Sequence, residues 1–148
     1  MLFRSYGGDG DNVLIGGVGD DVYYVGSGDE SDEIQDSSGT EDVLCLYWGW
    51  DNPISSGGTD YYEGVDPSDV SFDYDEDDSE VTITIADGAD SGSGDDAEVS
   101  FEYGAIEYVY LYGFASGALT AMADFGSYTV HEYVWNESTE VFDYNGTV

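Results

Sequence analysis

A nine-residue repeat occupies the first part of the chain. Residues 7–15 read GGDGDNVLI and residues 16–24 read GGVGDDVYY, with glycine at the first, second and fourth places of both copies. Residues 25–30 form a degenerate third copy, which keeps two glycines and has an acid, Glu30, in the sixth place. The eighth place of this copy, apolar in the first two, falls on Asp32. So short a period allows one turn and one short strand per copy, and the copies must stack to bury a core.

The residue types of the repeat are those of an ion-binding turn. Glycine adopts the positive-φ conformations that a tight turn of six residues needs, and its carbonyl is not screened by a side chain. Ca²⁺ takes about six to eight oxygen ligands, which carboxylates and backbone carbonyls supply. The middle residue of the strand after each turn, Leu14 or Tyr23, is predicted to point into the interior.

The repeat resembles the haemolysin-type calcium-binding repeat of the RTX family, a glycine-rich turn with an acid in the sixth place and then a short strand. The resemblance implies a parallel β-roll whose successive turns lie on opposite sides, with an ion between turns two repeats apart. It pairs the turn of residues 7–12 with that of residues 25–30 and leaves the turn of residues 16–21 without an in-phase partner. We therefore expect one or two calcium ions, although Asn12 and Glu30 replace the aspartate of the family pattern. The expected calcium ligands are Gly8, Asp9, Gly10, Asp11, Asn12, Gly17, Gly19, Asp20, Asp21, Gly26, Gly28, Asp29 and Glu30, with Asp42 of the next segment as a further one.

The segment after the repeats, residues 34–48, resembles the degenerate stretch that closes such arrays. Residues 43–48 form a continuous apolar run short enough for a buried strand. The only cysteine, Cys45, lies in this run, which predicts a buried, inert thiol and excludes an internal disulfide. Stacked repeats need about three copies to be stable, so the roll must pack against the C-terminal part of the chain or against further repeats upstream.

The charge of the chain excludes several classes of function. There are 34 acidic residues against a single arginine, Arg4, and the net charge is −33. Nucleic acids and anionic membranes are bound through clustered Lys and Arg, and no stretch has the ~18 apolar residues of a membrane span. Nucleic-acid binding and membrane insertion are therefore not expected. Aromatic residues make up 16% of the chain, which argues against disorder, and the acids outside the repeat suggest a salty, halophilic, extracellular setting.

The rest of the chain predicts further strands and turn-rich loops. Residues 81–85 alternate Val and Ile with Thr, the period of a strand with one buried face. Residues 106–112 predict another strand, whose tyrosines share one face; we expect them to fill the core rather than to stack on sugar rings. Residues 119–125 are the only stretch that suits a helix, and residues 128–144 suit a terminal hairpin.

These patterns together predict an all-β protein with two domains. Residues 1–42 are expected to form the short parallel calcium-binding β-roll and its closing segment. Residues 43–148 are expected to form an antiparallel, β-sandwich-like domain.

No catalytic motif accompanies the repeat. His131 is the only histidine, and neither a nucleophile elbow nor a zinc-protease motif is present. We therefore expect no enzyme but a calcium-binding module of a secreted protein, which the resemblance connects with one-step (type I) secretion and folding in external calcium. Two alternatives stay open. In the first, the chain is the tail of a secreted protease or lipase whose catalytic domain lies upstream. In the second, it is a halophile surface protein without specific ion sites.

Overall fold

A computed structural model describes residues 4–7, 10–26, 31–47, 54–62, 65, 67–86, 96–113, 120–121 and 129–148. In these residues β-strands dominate, and the helical structure is one 3-10 turn at Pro67–Asp69, so the predicted all-β class is confirmed. None of the helical structure in this part of the chain has the length and apolarity that a membrane span requires. The strands are β1 (Arg4–Tyr6), β2 (Val13–Ile15), β3 (Val22–Gly26), β4 (Ser31–Gln35), β5 (Val43–Tyr47), β6 (Ile54–Ser56), β7 (Thr59–Tyr62), β8 (Val70–Asp75), β9 (Glu80–Ile85), β10 (Ala97–Glu102), β11 (Tyr108–Gly113), β12 (Thr120–Ala121), β13 (Thr129–Asn136) and β14 (Val141–Thr147).

The first five strands alternate between two sheets. Strands β1, β3 and β5 are parallel neighbours in one sheet, and β2 and β4 are parallel neighbours in the other. Arg4 pairs with Val22, which is 18 residues later, as a strict nine-residue period requires. Val22 pairs with Val43, which is 21 residues later, so the chain makes a longer turn before β5.

The later strands extend the same two sheets. In the six-stranded sheet, with the order β1-β3-β5-β11-β13-β14, β11 is parallel to β5 and antiparallel to β13. In the five-stranded sheet, with the order β2-β4-β10-β9-β8, β10 is parallel to β4 and antiparallel to β9. A small third sheet contains β12, β7 and β6. Both large sheets contain strands from either side of residue 42, and the division of the chain there stays a prediction.

One hydrophobic core contains side chains of both large sheets. Leu14 and Tyr23, predicted to point inward from the two complete repeats, are both buried in it, as is Ile34 of β4. The six-stranded sheet adds Leu44, Leu46, Val109 and Leu111, and the five-stranded sheet adds Val81, Ile83, Val99 and Phe101.

The tyrosines of β11 lie on the opposite face from the core. Val109 and Leu111 are fully buried, whereas Tyr108, Tyr110 and Tyr112 are half-buried. The expectation that the tyrosine row fills the core is therefore wrong. The reason lies in the neighbouring strand: Val109 and Leu111 pair with Leu44 and Leu46 of β5, and together they continue one apolar face.

The end of the chain confirms one expectation and contradicts another. Strands β13 and β14 form the predicted terminal hairpin. Of residues 119–125, the structure describes Thr120 and Ala121, which pair with β7 as a short strand and not as a helix.

Cys45 is buried as predicted, and burial raises the pKa of its thiol to about 11, which keeps it unreactive at neutral pH.

Candidate metal centre

The turn of residues 16–21 stacks on residues 36–42, and we call this pair the second stack. Val18 forms a parallel bridge with Ser38, and the Gly19 N–H donates a hydrogen bond to the Ser38 carbonyl at 2.8 Å. The exposed Asp20 accepts hydrogen bonds from the N–H groups of Thr40 and Glu41, at 3.1 and 3.2 Å. The prediction gave this turn no in-phase partner, and the partner in the structure is out of phase. Its partner lies downstream, in a turn lengthened enough to break the nine-residue phase.

Three carboxylates meet inside the second stack. Asp21, Asp36 and Asp42 each place one carboxylate oxygen within 4.8 Å of the other two. Asp21 and Asp42 are each 1% exposed, and Asp36 is half-buried. Carboxylate oxygens are the ligands that Ca²⁺ prefers, and this donor set contains neither the thiolate nor the imidazole that zinc and copper favour.

Backbone and side-chain hydrogen bonds hold these carboxylates in place. The Asp21 N–H donates to Asp42 Oδ1 at 2.7 Å, and the Tyr23 hydroxyl donates to Asp36 Oδ2. The Asp42 N–H in turn donates to Glu107 Oε2 at 2.8 Å. The Asp42 carbonyl accepts from the N–H groups of Glu107 and Tyr108, each at 3.1 Å, so the short segment before β11 is fastened to the stack.

The electrostatics of the second stack favour a bound positive charge. Burial raises the pKa of Asp42 to about 6; the hydrogen bond from the Asp21 N–H opposes this rise, and the charges of Asp36 and Glu107 add to it. Burial also raises the pKa of Glu107 and that of the Tyr23 hydroxyl, whose bond to Asp36 contributes to the rise. Burial and neighbouring negative charge disfavour the ionised form of a carboxylate, and a bound cation would favour it.

Gly16, the first glycine of the second repeat, lines the same space. A Cβ atom built on Gly16 would lie 2.6 Å from Asp36 Oδ2 and 2.7 Å from Asp21 Oδ2, and it would overlap the Tyr23 hydroxyl. Further along the turn, Gly17 and Gly19 have φ values of 109° and 108°, which residues with a side chain rarely adopt. The glycines of this repeat therefore make room for the acids as well as shaping the turn.

Residues 10–12 of the first repeat stack on residues 31–33, and we call this pair the first stack. The Asn12 N–H donates to Asp32 Oδ1 at 3.0 Å, in the same way that the Asp21 N–H bonds to Asp42. Asp32 is 6% exposed, and burial raises its pKa. Asp11 accepts a hydrogen bond from the Ser31 N–H, as Asp20 does from the Thr40 N–H.

The register corrects the alignment of the third repeat. Leu14 pairs with Ile34, so Ile34 takes the apolar eighth place and Asp32 takes the acidic sixth place expected of Glu30. Two additional residues in the third copy cause this shift. Among the predicted ligands, Gly8, Asp9, Gly28, Asp29 and Glu30 lie outside the described residues.

The aspartates among the remaining predicted ligands divide into two groups. Asp21 and Asp42 are brought together in the second stack, whereas Asp11 and Asp20 lie at the exposed rims of the first and second stacks as acceptors of backbone N–H groups. Gly10 resembles Gly17 and Gly19 in having a positive φ, of 93°, and Gly26 ends β3.

Sequence reasoning missed Asp36 and Glu107. Gln35 of β4 pairs with Ile15 of β2, and the residues that follow these two are Asp36 and Gly16. Asp36 therefore stands in the place of a repeat's first glycine, a signal that appears once Ile34 is aligned with Leu14. Glu107 has no such signal, because it lies 65 residues from Asp42 along the chain.

No family model, no curated protein and no solved structure matches this chain. The resemblance to the RTX repeat therefore rests on the glycine and acid spacing of residues 7–30.

Proposed function

We propose that this chain is a non-catalytic calcium-binding module, and that Asp21, Asp36 and Asp42 hold the ion. The observation that carries the proposal is the convergence of three carboxylates within 4.8 Å on stacked glycine turns. The chain has one Arg and no Lys to neutralise 34 acids, so a bound cation is the simplest partner for the buried ones. A spherical cation with a preference for oxygen fits this donor set.

Calcium would act on this module through folding. Asp21 is separated by β3 and β4 from the segment that carries Asp36 and Asp42, so the unfolded chain has no preformed site. An ion that binds the folded state alone stabilises it by an amount that grows with ion concentration, about 2.7 kcal/mol at 100 times Kd. Low calcium would keep the chain unfolded, and calcium at the destination would drive it to fold.

This mode of action suits a secreted protein. A chain that folds only in external calcium stays unfolded for passage through a one-step, type I secretion machine, as the resemblance to RTX repeats implies. The acidic surface suits a salty extracellular medium, since counterions screen its repulsion. In this proposal the partners are calcium ions, together with further repeats or an upstream domain of a larger parent protein.

Calorimetric titration tests the proposal. Wild type and Asp36→Asn are titrated with CaCl₂, and with MgCl₂ and NaCl at matched ionic strength. Asp73→Asn is the matched control, because Asp73 is an exposed acid on β8, outside both stacks. We expect saturable calcium binding by wild type and Asp73→Asn, and affinity lower by at least about tenfold in Asp36→Asn, since ligand charge tunes calcium affinity.

The same titration decides against the proposal if Mg²⁺ or NaCl reproduces the calcium signal. That result would favour the halophile alternative, in which the acids hold water and salt without specific sites. Equal calcium affinity in Asp36→Asn and Asp73→Asn would place any calcium site elsewhere.

A further inference from the structure

The eighth place of the repeat differs between the two complete copies. It holds Leu14 in the first copy and Tyr23 in the second, and both side chains lie in the hydrophobic core. Tyr23 is completely buried, so its hydroxyl needs a hydrogen-bond partner inside the protein. An aliphatic side chain fills the same place in the first stack without that requirement. The hydroxyl is therefore what Tyr23 adds to the second stack.

This hydroxyl lies beside the carboxylates of the second stack. It donates a hydrogen bond to Asp36 Oδ2. The point at which a Cβ atom on Gly16 would stand is within 2.7 Å of the Tyr23 hydroxyl, of Asp36 Oδ2 and of Asp21 Oδ2. The absence of a side chain at Gly16 therefore leaves the space that the hydroxyl and two of the carboxylates share.

Asp36 is held at both of its carboxylate oxygens. The Ser38 N–H donates to Oδ1 at 3.0 Å, within the same turn, and the Tyr23 hydroxyl donates to Oδ2 from the core. Each carboxylate oxygen can accept more than one such contact, so both oxygens keep a direction open for an ion. Without the bond from Tyr23, this half-buried carboxylate would be free to turn toward solvent. Tyr23 therefore fixes the direction in which Asp36 points.

We propose that Tyr23 is a positioning residue that sets the preference of the second stack for Ca²⁺ over Mg²⁺, an inference that rests on the proposed calcium site. Tyr23 acts through Asp36, whose carboxylate it holds, and does not itself bind the ion. Residues that hydrogen-bond to metal ligands typically contribute about 10- to 100-fold to metal affinity.

The two ions differ in how closely their ligands must approach. Ca²⁺ accepts oxygen ligands at about 2.3–2.6 Å in a flexible geometry, whereas Mg²⁺ requires a near-ideal octahedron at about 2.0–2.1 Å and keeps several waters. A carboxylate held at both oxygens cannot follow the smaller ion inward without losing one of its hydrogen bonds. Loss of the Tyr23 hydroxyl should therefore weaken Ca²⁺ binding more than Mg²⁺ binding.

Calorimetric titration of Tyr23→Phe with CaCl₂ tests the proposal, with Mg²⁺ affinity measured by competition against Ca²⁺. Phenylalanine keeps the ring in the core and removes the hydroxyl alone. We expect Kd for Ca²⁺ to rise at least about tenfold, and the ratio of the Mg²⁺ Kd to the Ca²⁺ Kd to fall at least about threefold. Tyr74→Phe is the matched control, because the Tyr74 hydroxyl accepts a hydrogen bond from the Phe142 N–H at 2.9 Å, outside both stacks. A general loss of stability lowers both apparent affinities by the same factor, so the ratio should stay at its wild-type value in Tyr74→Phe.

A double-mutant cycle shows whether Tyr23 acts through Asp36. In an Asp36→Asn background, Tyr23→Phe should change calcium affinity by less than about twofold, because the carboxylate that Tyr23 positions is gone. A role of the hydroxyl in packing alone would lower calcium affinity equally in both backgrounds.

Two outcomes overturn this proposal and leave the calcium site intact. The first is a Kd ratio in Tyr23→Phe equal to that of wild type, and the second is an equal loss of calcium affinity in both backgrounds of the cycle. A wild-type protein without saturable calcium binding would instead overturn the proposed function, and this inference with it.

Discussion

The first and second stacks share one scaffold but differ in what lies inside it. In both, the backbone N–H of the sixth turn residue donates to an aspartate of the turn below, Asn12 to Asp32 and Asp21 to Asp42. In the first stack Asp32 is the buried acid among the residues described, whereas the second stack gathers three carboxylates. Among the described residues, the two stacks therefore share the turn scaffold and differ in how many carboxylates lie inside it.

Two substitutions distinguish the described parts of the two stacks. The sixth place holds Asn12 in the first stack and Asp21 in the second, which changes a neutral amide into a charge. Asp36 stands where a repeat would have its first glycine, and it adds the third carboxylate. Substitutions in the second stack should therefore have different effects from matched substitutions elsewhere in the protein.

Replacing the first glycine of a repeat should affect the second stack more than the first. In Gly16→Ala the new methyl group meets the Tyr23 hydroxyl and two carboxylates, whereas in Gly7→Ala it meets one carboxylate, that of Asp32. We expect the free energy of unfolding in CaCl₂ to fall by about 3 kcal/mol for Gly16→Ala and about 1 kcal/mol for Gly7→Ala. Urea unfolding measures both, and equal losses would show that the two stacks are equally crowded.

Neutralising the buried aspartate should have opposite effects with and without calcium in the second stack. Asp42→Asn removes a ligand of the proposed calcium site and also removes repulsion, so we expect affinity for Ca²⁺ to fall at least about tenfold while the calcium-free protein gains stability. Asp32→Asn, the counterpart in the first stack, should leave calcium affinity within about twofold, because it removes no ligand of the proposed site. Calorimetry measures the affinity, and urea unfolding in calcium-free buffer with sucrose, which favours the folded state, measures the stability. Loss of stability in calcium-free Asp42→Asn would show that repulsion does not dominate at this position.

Acid should stabilise the calcium-free protein through Asp42. Burial raises the pKa of Asp42 from 3.8 to about 6, so the folded state binds this proton more tightly than the unfolded state does. Stability therefore rises as the pH falls through about 6 and levels off below 3.8. Other acids contribute too, so the measured quantity is the difference in free energy of unfolding between wild type and Asp42→Asn across this range, in calcium-free buffer with sucrose, which favours the folded state. A difference that does not vary with pH would rule out the assignment to Asp42.

Glu107 should tune the second stack weakly from outside. Glu107→Gln keeps an oxygen that can accept the Asp42 N–H but removes a charge near the cluster, so we expect calcium affinity to fall by only about two- to fivefold. Glu102→Gln is the matched control, an exposed acid at the end of β10. A loss as large as that of Asp42→Asn would show that Glu107 touches the ion, and an unchanged affinity would show that its charge does not reach the site.

The sequence predicts the scaffold of this fold better than the pairing of its turns. The interior positions of Leu14 and Tyr23 follow from the repeat, because a strand alternates its faces, and the apolar runs locate β5 and β9. The partner of the 16–21 turn does not follow, since additional residues separate Val13 from its partner Glu33 by 20 residues and Val22 from Val43 by 21. The sequence does not predict that the tyrosines of β11 point outward, because hydrophobicity alone does not tell which face of β11 continues the apolar face of the neighbouring strand β5.

The sequence likewise predicts some residues of the candidate site and not others. Asp21 and Asp42 are recognisable because each directly precedes an apolar strand, as the sixth-place acid of a repeat does. Asp36 and Asp32 become recognisable only when the register aligns Ile34 with Leu14. Glu107 depends on the parallel pairing of β5 with β11, a contact between distant segments that no local pattern encodes.

Backbone amide NMR during a calcium titration observes both stacks in one sample and so shows which of them binds the ion. We expect saturable shifts of the Asp21 and Asp42 amides in CaCl₂ but not in MgCl₂ at matched ionic strength. The amides of Asn12 and Asp32 should shift little at the same calcium concentrations. Shifts as large at Asn12 and Asp32 as in the second stack, or equal shifts with Mg²⁺, would contradict the assignment of the second stack as a calcium site.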